Sequence, residues 1–252
     1  MTYRITDIVG QTTTSTLTPV VPPAPDAKND ISTGPYDTNQ VIVILGNDDP
    51  GHVSAPLVPS SVKLCGVSPV ETPNNCTKTS VTVPGEGTYT VNPDGTVTFD
   101  PLSTFVGTVA TPVTYQVTDV LGRTADADVR PTVLPPPPPI ATPETRIVVP
   151  SGTATFTNVI GAAALASGVQ LQTGPTNGPC LVDPATSLCG TTVVITGEGT
   201  WTLNQTNGVA TFVAEPGITV GTKTSVTYRV TDAVGQTASS TLTPIVPPPP
   251  TA

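Results

Sequence analysis

Thr114-Tyr-Gln-Val-Thr-Asp-Val-Leu-Gly-Arg-Thr124 decides the fold, because the chain writes it three times. It stands at the start as Thr2-Tyr-Arg-Ile-Thr-Asp-Ile-Val-Gly-Gln-Thr12 and near the end as Thr227-Tyr-Arg-Val-Thr-Asp-Ala-Val-Gly-Gln-Thr237. Tyr3, Tyr115 and Tyr228 set a period of about 112 residues, the length of a domain and not of a solenoid turn. The alternation predicts a β-hairpin, with Val113, Tyr115 and Val117 on one face and Thr114, Gln116 and Thr118 on the other. Asp119 opens the turn by accepting backbone N–H groups, and Gly122 supplies the positive φ that closes it. A polar strand and then a proline-rich run follow each copy.

Working outward, residues 1–21 read as a closing hairpin with no repeat in front of it, the remnant of a preceding, truncated repeat. Met1 stands where the other copies have Val113 and Val226, so the sequence reads as an excerpt from a longer repetitive protein. Tyr3, Ile5, Leu17 and Val20 give the hairpin an apolar face that is either disordered, docked on the next repeat, or completed by another molecule. Residues 22–25 form a short proline connector, and 26–133 the first full repeat. Its expected strands are Val41–Leu45, Ser61–Leu64, Ser80–Val83, Thr88–Asn92, Thr96–Asp100, Pro112–Thr118 and Arg123–Val133. Asn92-Pro93-Asp94-Gly95 is a turn between two of them, placing Tyr89, Val91, Val97 and Phe99 on one buried face.

Residues 134–140 hold five consecutive prolines, a semi-rigid polyproline spacer rising about 3.1 Å per residue. The second repeat, 141–246, ends in a further linker at 247–252. Its Gly197-Glu198-Gly199-Thr200-Trp201 matches Gly85-Glu86-Gly87-Thr88-Tyr89, and Trp201, Leu203, Ala210 and Phe212 take the inward positions. The early third of each repeat is least alike, and Gly161 to Ala166 could make a helical turn. About seven short strands per repeat imply an all-β fold of tandem, immunoglobulin-like β-sandwiches joined by proline-rich linkers.

Composition supports this reading. Only 11% of the 252 residues are charged, 31 are proline, and 37% are apolar, which favours strands and turns over helices or disorder. A formal net charge of −9 argues against nucleic acid or an anionic lipid surface as partner. No apolar run approaches the length of a membrane-spanning helix, and no secretory leader precedes the first strand pattern.

The four cysteines fall two to a repeat, each pair just before the Gly-Glu-Gly strand. Cys65–Cys76 and Cys180–Cys189 are expected as disulfides within each repeat, since the C-x₂-C spacing and histidines of a zinc site are missing. Such loops imply an oxidising, extracellular setting. His52 reads as a surface-loop residue, having no equivalent in the second repeat. Asn47-Asp48-Asp49 could offer oxygens to Ca²⁺ but equally forms a turn before Pro50-Gly51. Glu86 and Glu198 recur between glycines, one per repeat, which suits a turn or bulge better than a pair of glycosidase carboxylates. Asn75 and Asn204 begin sequons that matter only in a glycosylating host. Lys28, Lys63, Lys78 and Lys223 occupy non-matching positions, and no isopeptide cross-link is expected. No catalytic residue, metal or cofactor is assigned.

Val83-Pro-Gly-Glu-Gly-Thr-Tyr-Thr-Val91, Asp94-Gly-Thr-Val-Thr-Phe99 and Val113-Thr-Tyr-Gln-Val-Thr-Asp119, with Asn47-Asp48 upstream, together resemble the CshA-type repeats of fibrillar adhesins on Gram-positive bacterial surfaces. The resemblance covers nearly the whole chain. It implies a non-enzymatic stalk of β-sandwich modules at the cell surface, wall-attached through regions outside this sequence, with adhesion carried by a separate tip. The expected partners are neighbouring repeats, with head-to-tail self-association as a further option and any host ligand met by another region. Two alternatives remain open: repeats that themselves bind a host protein or glycan, and an accessory stalk of a secreted enzyme.

Overall fold

The computed structural model describes residues 1–67, 76–157, 159, 170–172 and 178–250. The chain divides into two compact units. The first comprises Met1–Gly34, Asn39–Asp100 and Thr108–Thr132; the second comprises Pro35–Thr38, Pro101–Gly107 and Val133–Ala252.

In chain order the first eleven strands are β1 (Thr2–Thr6), β2 (Thr12–Thr16), β3 (Asp30–Gly34), β4 (Gln40–Ile42), β5 (Leu57–Val67), β6 (Ser80–Val83), β7 (Gly87–Val91), β8 (Val97–Pro101), β9 (Gly107–Thr108), β10 (Val113–Asp119) and β11 (Thr124–Val133). One sheet has the order β3-β11-β10-β5 with β9 on β11, and the facing sheet the order β4-β8-β7-β6. Their buried side chains include Val62, Leu64, Tyr89, Val97, Phe99, Val113, Tyr115, Val117 and Val129. The ring centroids of Tyr89 and Phe99 lie 4.8 Å apart in a tilted pair. Val91, expected on the same face, is half-buried.

Two expectations need revision here. Val41–Leu45 is not one strand: β4 stops at Ile42 and a single 3-10 turn, Ile44–Gly46, buries Ile44 instead. Thr114 and Gln116 are buried along with their apolar neighbours, because β10 lies inside its sheet between β11 and β5. Thr114 Oγ1 donates to Asp128 Oδ1 on β11 at 2.7 Å, a cross-strand polar pair on the outward face.

The second unit repeats the plan with β12 (Glu144–Ile147), β13 (Thr153–Phe156), β14 (Cys180–Val182), β15 (Cys189–Gly190), β16 (Thr192–Ile195), β17 (Gly199–Asn204), β18 (Val209–Ala214), β19 (Gly221–Thr222), β20 (Val226–Thr231) and β21 (Thr237–Val246). The larger sheet runs β12-β21-β20-β14-β15 with β19 on β21, the smaller β13-β18-β17-β16. One core cluster joins the sheets: Phe156, Trp201, Leu203, Ala210 and Phe212 from the smaller meet Leu181, Val226, Tyr228, Val230 and Leu242 from the larger. That is a β-sandwich, and its inward residues are the alternating ones of β17 and β18. β12 runs parallel to β21, in register Glu144↔Leu242 through Ile147↔Ile245. The helical turn expected at Gly161 to Ala166 lies outside the described residues.

The Gly-Glu-Gly motif has a packing reason. Gly85 and Gly197 turn at φ of 81° and 78°. A Cβ on Gly87 would lie 2.5 Å from the Asp100 carbonyl oxygen and 2.7 Å from the Phe99 ring. One on Gly199 would collide with the Val213 carbonyl and the Phe212 ring. The second glycine of each motif is therefore the floor on which a core phenylalanine lies.

β1 and β2 form a two-stranded sheet in register Thr2↔Thr16 through Thr6↔Thr12. Every residue in both is exposed, Tyr3 at 44% and Ile5 at 57%, whereas Tyr115, Val117, Tyr228 and Val230 at the equivalent positions are fully buried.

Candidate functional sites in the two repeats

The recurring aspartate makes the same turn in all three copies. Asp119 N–H donates to the Arg123 carbonyl at 2.9 Å and Gly122 N–H to the Asp119 carbonyl at 3.0 Å, and the same pairs join Asp7 with Gln11 and Gly10, and Asp232 with Gln236 and Gly235. Each carboxylate also accepts two backbone N–H groups: Val9 and Gln11 on Asp7, Leu121 and Arg123 on Asp119, Val234 and Gln236 on Asp232. Burial works to raise the Asp119 carboxyl, but its N–H donors and the Arg123 guanidinium outweigh that and hold it below the usual carboxylate range.

Glu86 and Glu198 act between sheets. Glu86 Oε1 accepts the Ala110 N–H at 2.8 Å; Glu198 accepts the Thr224 N–H at 2.8 Å and its hydroxyl at 3.1 Å. Each acid sits in a hairpin turn within the smaller sheet, between β6 and β7 or between β16 and β17, and ties it to the segment leading into β10 or β20 of the larger one. The sequence placed both in a turn; the tie to a segment 24 or 26 residues away was beyond local reading.

Asn47-Asp48-Asp49 is consumed by the protein itself. Asn47 Nδ2 donates to the Asn29 carbonyl, and Asp49 Oδ1 accepts the Gly51 N–H. Asp48 Oδ1 accepts the Lys28 N–H at 2.7 Å, and both its oxygens lie 2.9 Å from the Tyr115 hydroxyl, which also lies 3.2 Å from the Lys28 and Ile44 carbonyls. Beside this cluster, Asp30 is 7% exposed. Burial raises its carboxyl pKa to about 6; the Asp48 charge adds to the rise, while hydrogen bonds from Tyr115 and Asn47 oppose it. Burial likewise raises Asp48, against the Lys28 N–H and the Tyr115 hydroxyl. In the second unit Tyr228 instead donates to the Thr142 carbonyl at 2.7 Å and accepts the Thr142 N–H at 3.0 Å, without an acid.

A stability prediction follows from the sign of this shift. Between pH 6 and 4 the folded Asp30 holds a proton that its unfolded counterpart, near 3.8, does not, so stability rises as pH falls through that window. The expected gain is about 1–2 kcal/mol, allowing for water entering the site. Asp119 and Asp94, both lowered, lose their contributions only at more acidic pH. Peptide-resolved hydrogen exchange of β10 should therefore be slower at pH 4.8 than at pH 7.5, after correction for intrinsic rates. Asp30→Asn should clearly reduce the difference, leaving only the smaller share of Asp48, whose carboxyl burial also raises. Faster exchange at pH 4.8 in the unaltered chain would contradict the assignment.

Cys65 is bonded to Cys76 and Cys180 to Cys189. The second bond closes the β14–β15 hairpin, whose register pairs Val182 with Cys189. His52 is a loop residue whose Nδ1 meets Ser54 Oγ at 2.5 Å. Lys28 pairs with Asp26, and the largely buried Lys223 donates to Thr219 Oγ1 at 2.9 Å. Asn204 is exposed at the end of β17, its Oδ1 accepting the Thr206 N–H; Asn75 lies outside the described residues. Among the described residues no three His, Cys, Asp or Glu side chains are grouped to hold a metal ion, and no helix is long and apolar enough to cross a membrane. Tyr3 is exposed, whereas Tyr89, Phe99, Tyr115, Phe156, Trp201, Phe212 and Tyr228 are all spent on the two cores.

Tandem β-sandwiches, each with an internal disulfide and a recurrent turn set, define a repeat module of an extracellular protein. The family described as the surface adhesin CshA repetitive domain matches residues 22–133 and again 147–246, and the chain belongs to it. The family and the two disulfides point to an extracellular location. No curated protein matches the sequence. Among solved structures the chain is similar to mouse cadherin-23 EC22–24, at 14% identity over 89% of this chain and 64% of that one, with a TM-score of 0.31. It is also similar to Drosophila N-cadherin EC1–3 (10% identity, 89% and 67% coverage, TM-score 0.30) and to titin domains I67–I69 (13%, 90% and 66%, 0.28). The chain thus spans about two-thirds of the length of each of these structures.

Proposed function

We propose that the chain is a stretch of the stalk of a long extracellular bacterial surface fibril, non-enzymatic and cell-wall attached through other regions. Its modules would be 26–133 and 141–246, with 22–25, 134–140 and 247–252 as connectors. One observation carries this reading. The acids and tyrosines that both repeats share (Glu86 and Glu198, Asp119 and Asp232, Tyr115 and Tyr228) are all engaged in bonds inside their own unit. Repeats that gripped a ligand through a shared site would present shared side chains outward. Membership in a surface-adhesin repeat family supports the same reading.

The test is to join one, two and four copies of the chain through the proline run at 247–250 and to measure both length and binding. Small-angle scattering should give a maximum dimension that grows by a constant increment per copy. Beads coated with any of the polymers should not adhere to extracellular-matrix proteins or glycan arrays. Saturable adhesion by the single copy would favour the binding-module alternative, and a dimension that fails to grow would overturn the stalk.

A further inference from the structure

In both units the recurring turn reaches a proline connector. Asp119 Oδ2 accepts Arg123 Nε at 2.8 Å, and Arg123 Nη1 donates to the Pro22 carbonyl at 2.6 Å, 101 positions earlier. In the second unit Asp232 Oδ2 accepts Gln236 Nε2 at 3.0 Å, and the same amide donates to the Pro136 carbonyl at 3.0 Å, 100 positions earlier. The two donors share no charge. What they share is a planar head with several N–H groups, one set to hold the aspartate and one to reach beyond it. The aspartates are 2% and 0% exposed, and their Oδ1 atoms are already fixed by turn N–H groups, so Oδ2 aims the donor.

The partner chemistry fits. A proline run has no N–H to enter a sheet ladder and presents only carbonyl oxygens along a stiff rod. A side-chain donor is what can fix such a segment, and a fork already anchored by a carboxylate loses less rotamer freedom on binding.

We propose that the Asp-x-x-Gly-Arg/Gln turn is a clasp for the proline connector that enters the same repeat, so that Pro22 and Pro136 are held by the modules that follow them. The aspartate is a positioning residue, and Arg123 or Gln236 makes the contact. The first copy carries the same signature, with Asp7 making the same turn bonds and Gln11 at the donor position. The assignment does not depend on the stalk reading, since it concerns only contacts within each unit.

Carbon-detected NMR of the whole chain tests it, because prolines lack an amide proton. In the unaltered protein the Pro136 order parameter should lie near the rigid value of about 0.85, and in Gln236→Ala it should fall toward about 0.6. The Pro136 carbonyl resonance should move upfield on losing its donor. Gln236→Arg, which installs the first repeat's donor, should restore both. Asp232→Asn keeps an oxygen for the turn N–H groups but replaces the Oδ2 acceptor by an amide donor, and should loosen Pro136 while the β20–β21 amides keep their shifts. Arg123→Ala should do the same at Pro22. A Pro136 that stays rigid in Gln236→Ala overturns the proposal, as does failure of Gln236→Arg to restore it. Loss of the β20–β21 turn in Gln236→Ala would also overturn it, by showing that the side chain serves only the hairpin.

Discussion

Trp201→Ala is expected to destabilise the second unit by about 3–5 kcal/mol, a large share of the stability of an ordinary domain. Trp201 is fully buried, with its ring centroid 4.9 Å from that of Phe156 on one side and 4.9 Å from that of Phe212 on the other. Alanine would leave a cavity between the two sheets that Phe212 cannot fill by moving along its own sheet, because its ring already lies against Gly199. Peptide-resolved hydrogen exchange should show accelerated opening across β16–β21, with β5, β10 and β11 unchanged. The reading of two separate cores is wrong if both units lose protection together. Tyr89 holds the equivalent place in the first unit, and its buried hydroxyl meets no hydrogen-bond partner. Tyr89→Phe is accordingly expected to be neutral or stabilising by about 1 kcal/mol.

Reducing the two disulfides should cost up to about 3 kcal/mol in each unit, or a fall of about 10 °C in melting temperature. The bonds join cysteines 11 and 9 positions apart, so each removes freedom from a short segment of its own unfolded unit. The effects should be separable. Replacing Cys180 and Cys189 by serine should speed exchange across the second unit only, and replacing Cys65 and Cys76 across the first unit only. Non-reducing peptide mapping gives a direct check: a free thiol, or a link between the two pairs, would defeat the prediction.

What could be read in the sequence was whatever repeats or alternates. The closing hairpin, the inward set Trp201, Leu203, Ala210 and Phe212, and the turn at Asp119 all follow from local spacing. The strand at Asp30–Gly34 was not visible, since an acid, two small polar residues and a glycine carry no apolar alternation; its place is set by β11, about a hundred residues later. Glu86 is the turn residue the sequence suggests, but the Ala110 N–H it holds lies 24 positions on, in the segment before β10, and left no local sign. Asp30 and Asp48 gave no sign of sharing Tyr115, which lies 67 positions beyond Asp48. Arg123 and Gln236 stood in the repeated motif from the start, yet their different chemistries hid a common use that only the proline carbonyls reveal.

The parallel pairing of β12 with β21 has a mechanical consequence. β12 is the first strand of the second sandwich and β21 the last, so the two chain ends leave this pair in opposite directions along the strands. A pull on those ends loads the rungs from Glu144↔Leu242 to Ile147↔Ile245 in shear, all at once, and cannot peel them one by one. Resistance to such a pull is set by the rate of crossing the unfolding barrier and not by equilibrium stability. A domain of ordinary thermal stability can therefore bear tension well, provided its first and last strands remain zipped side by side.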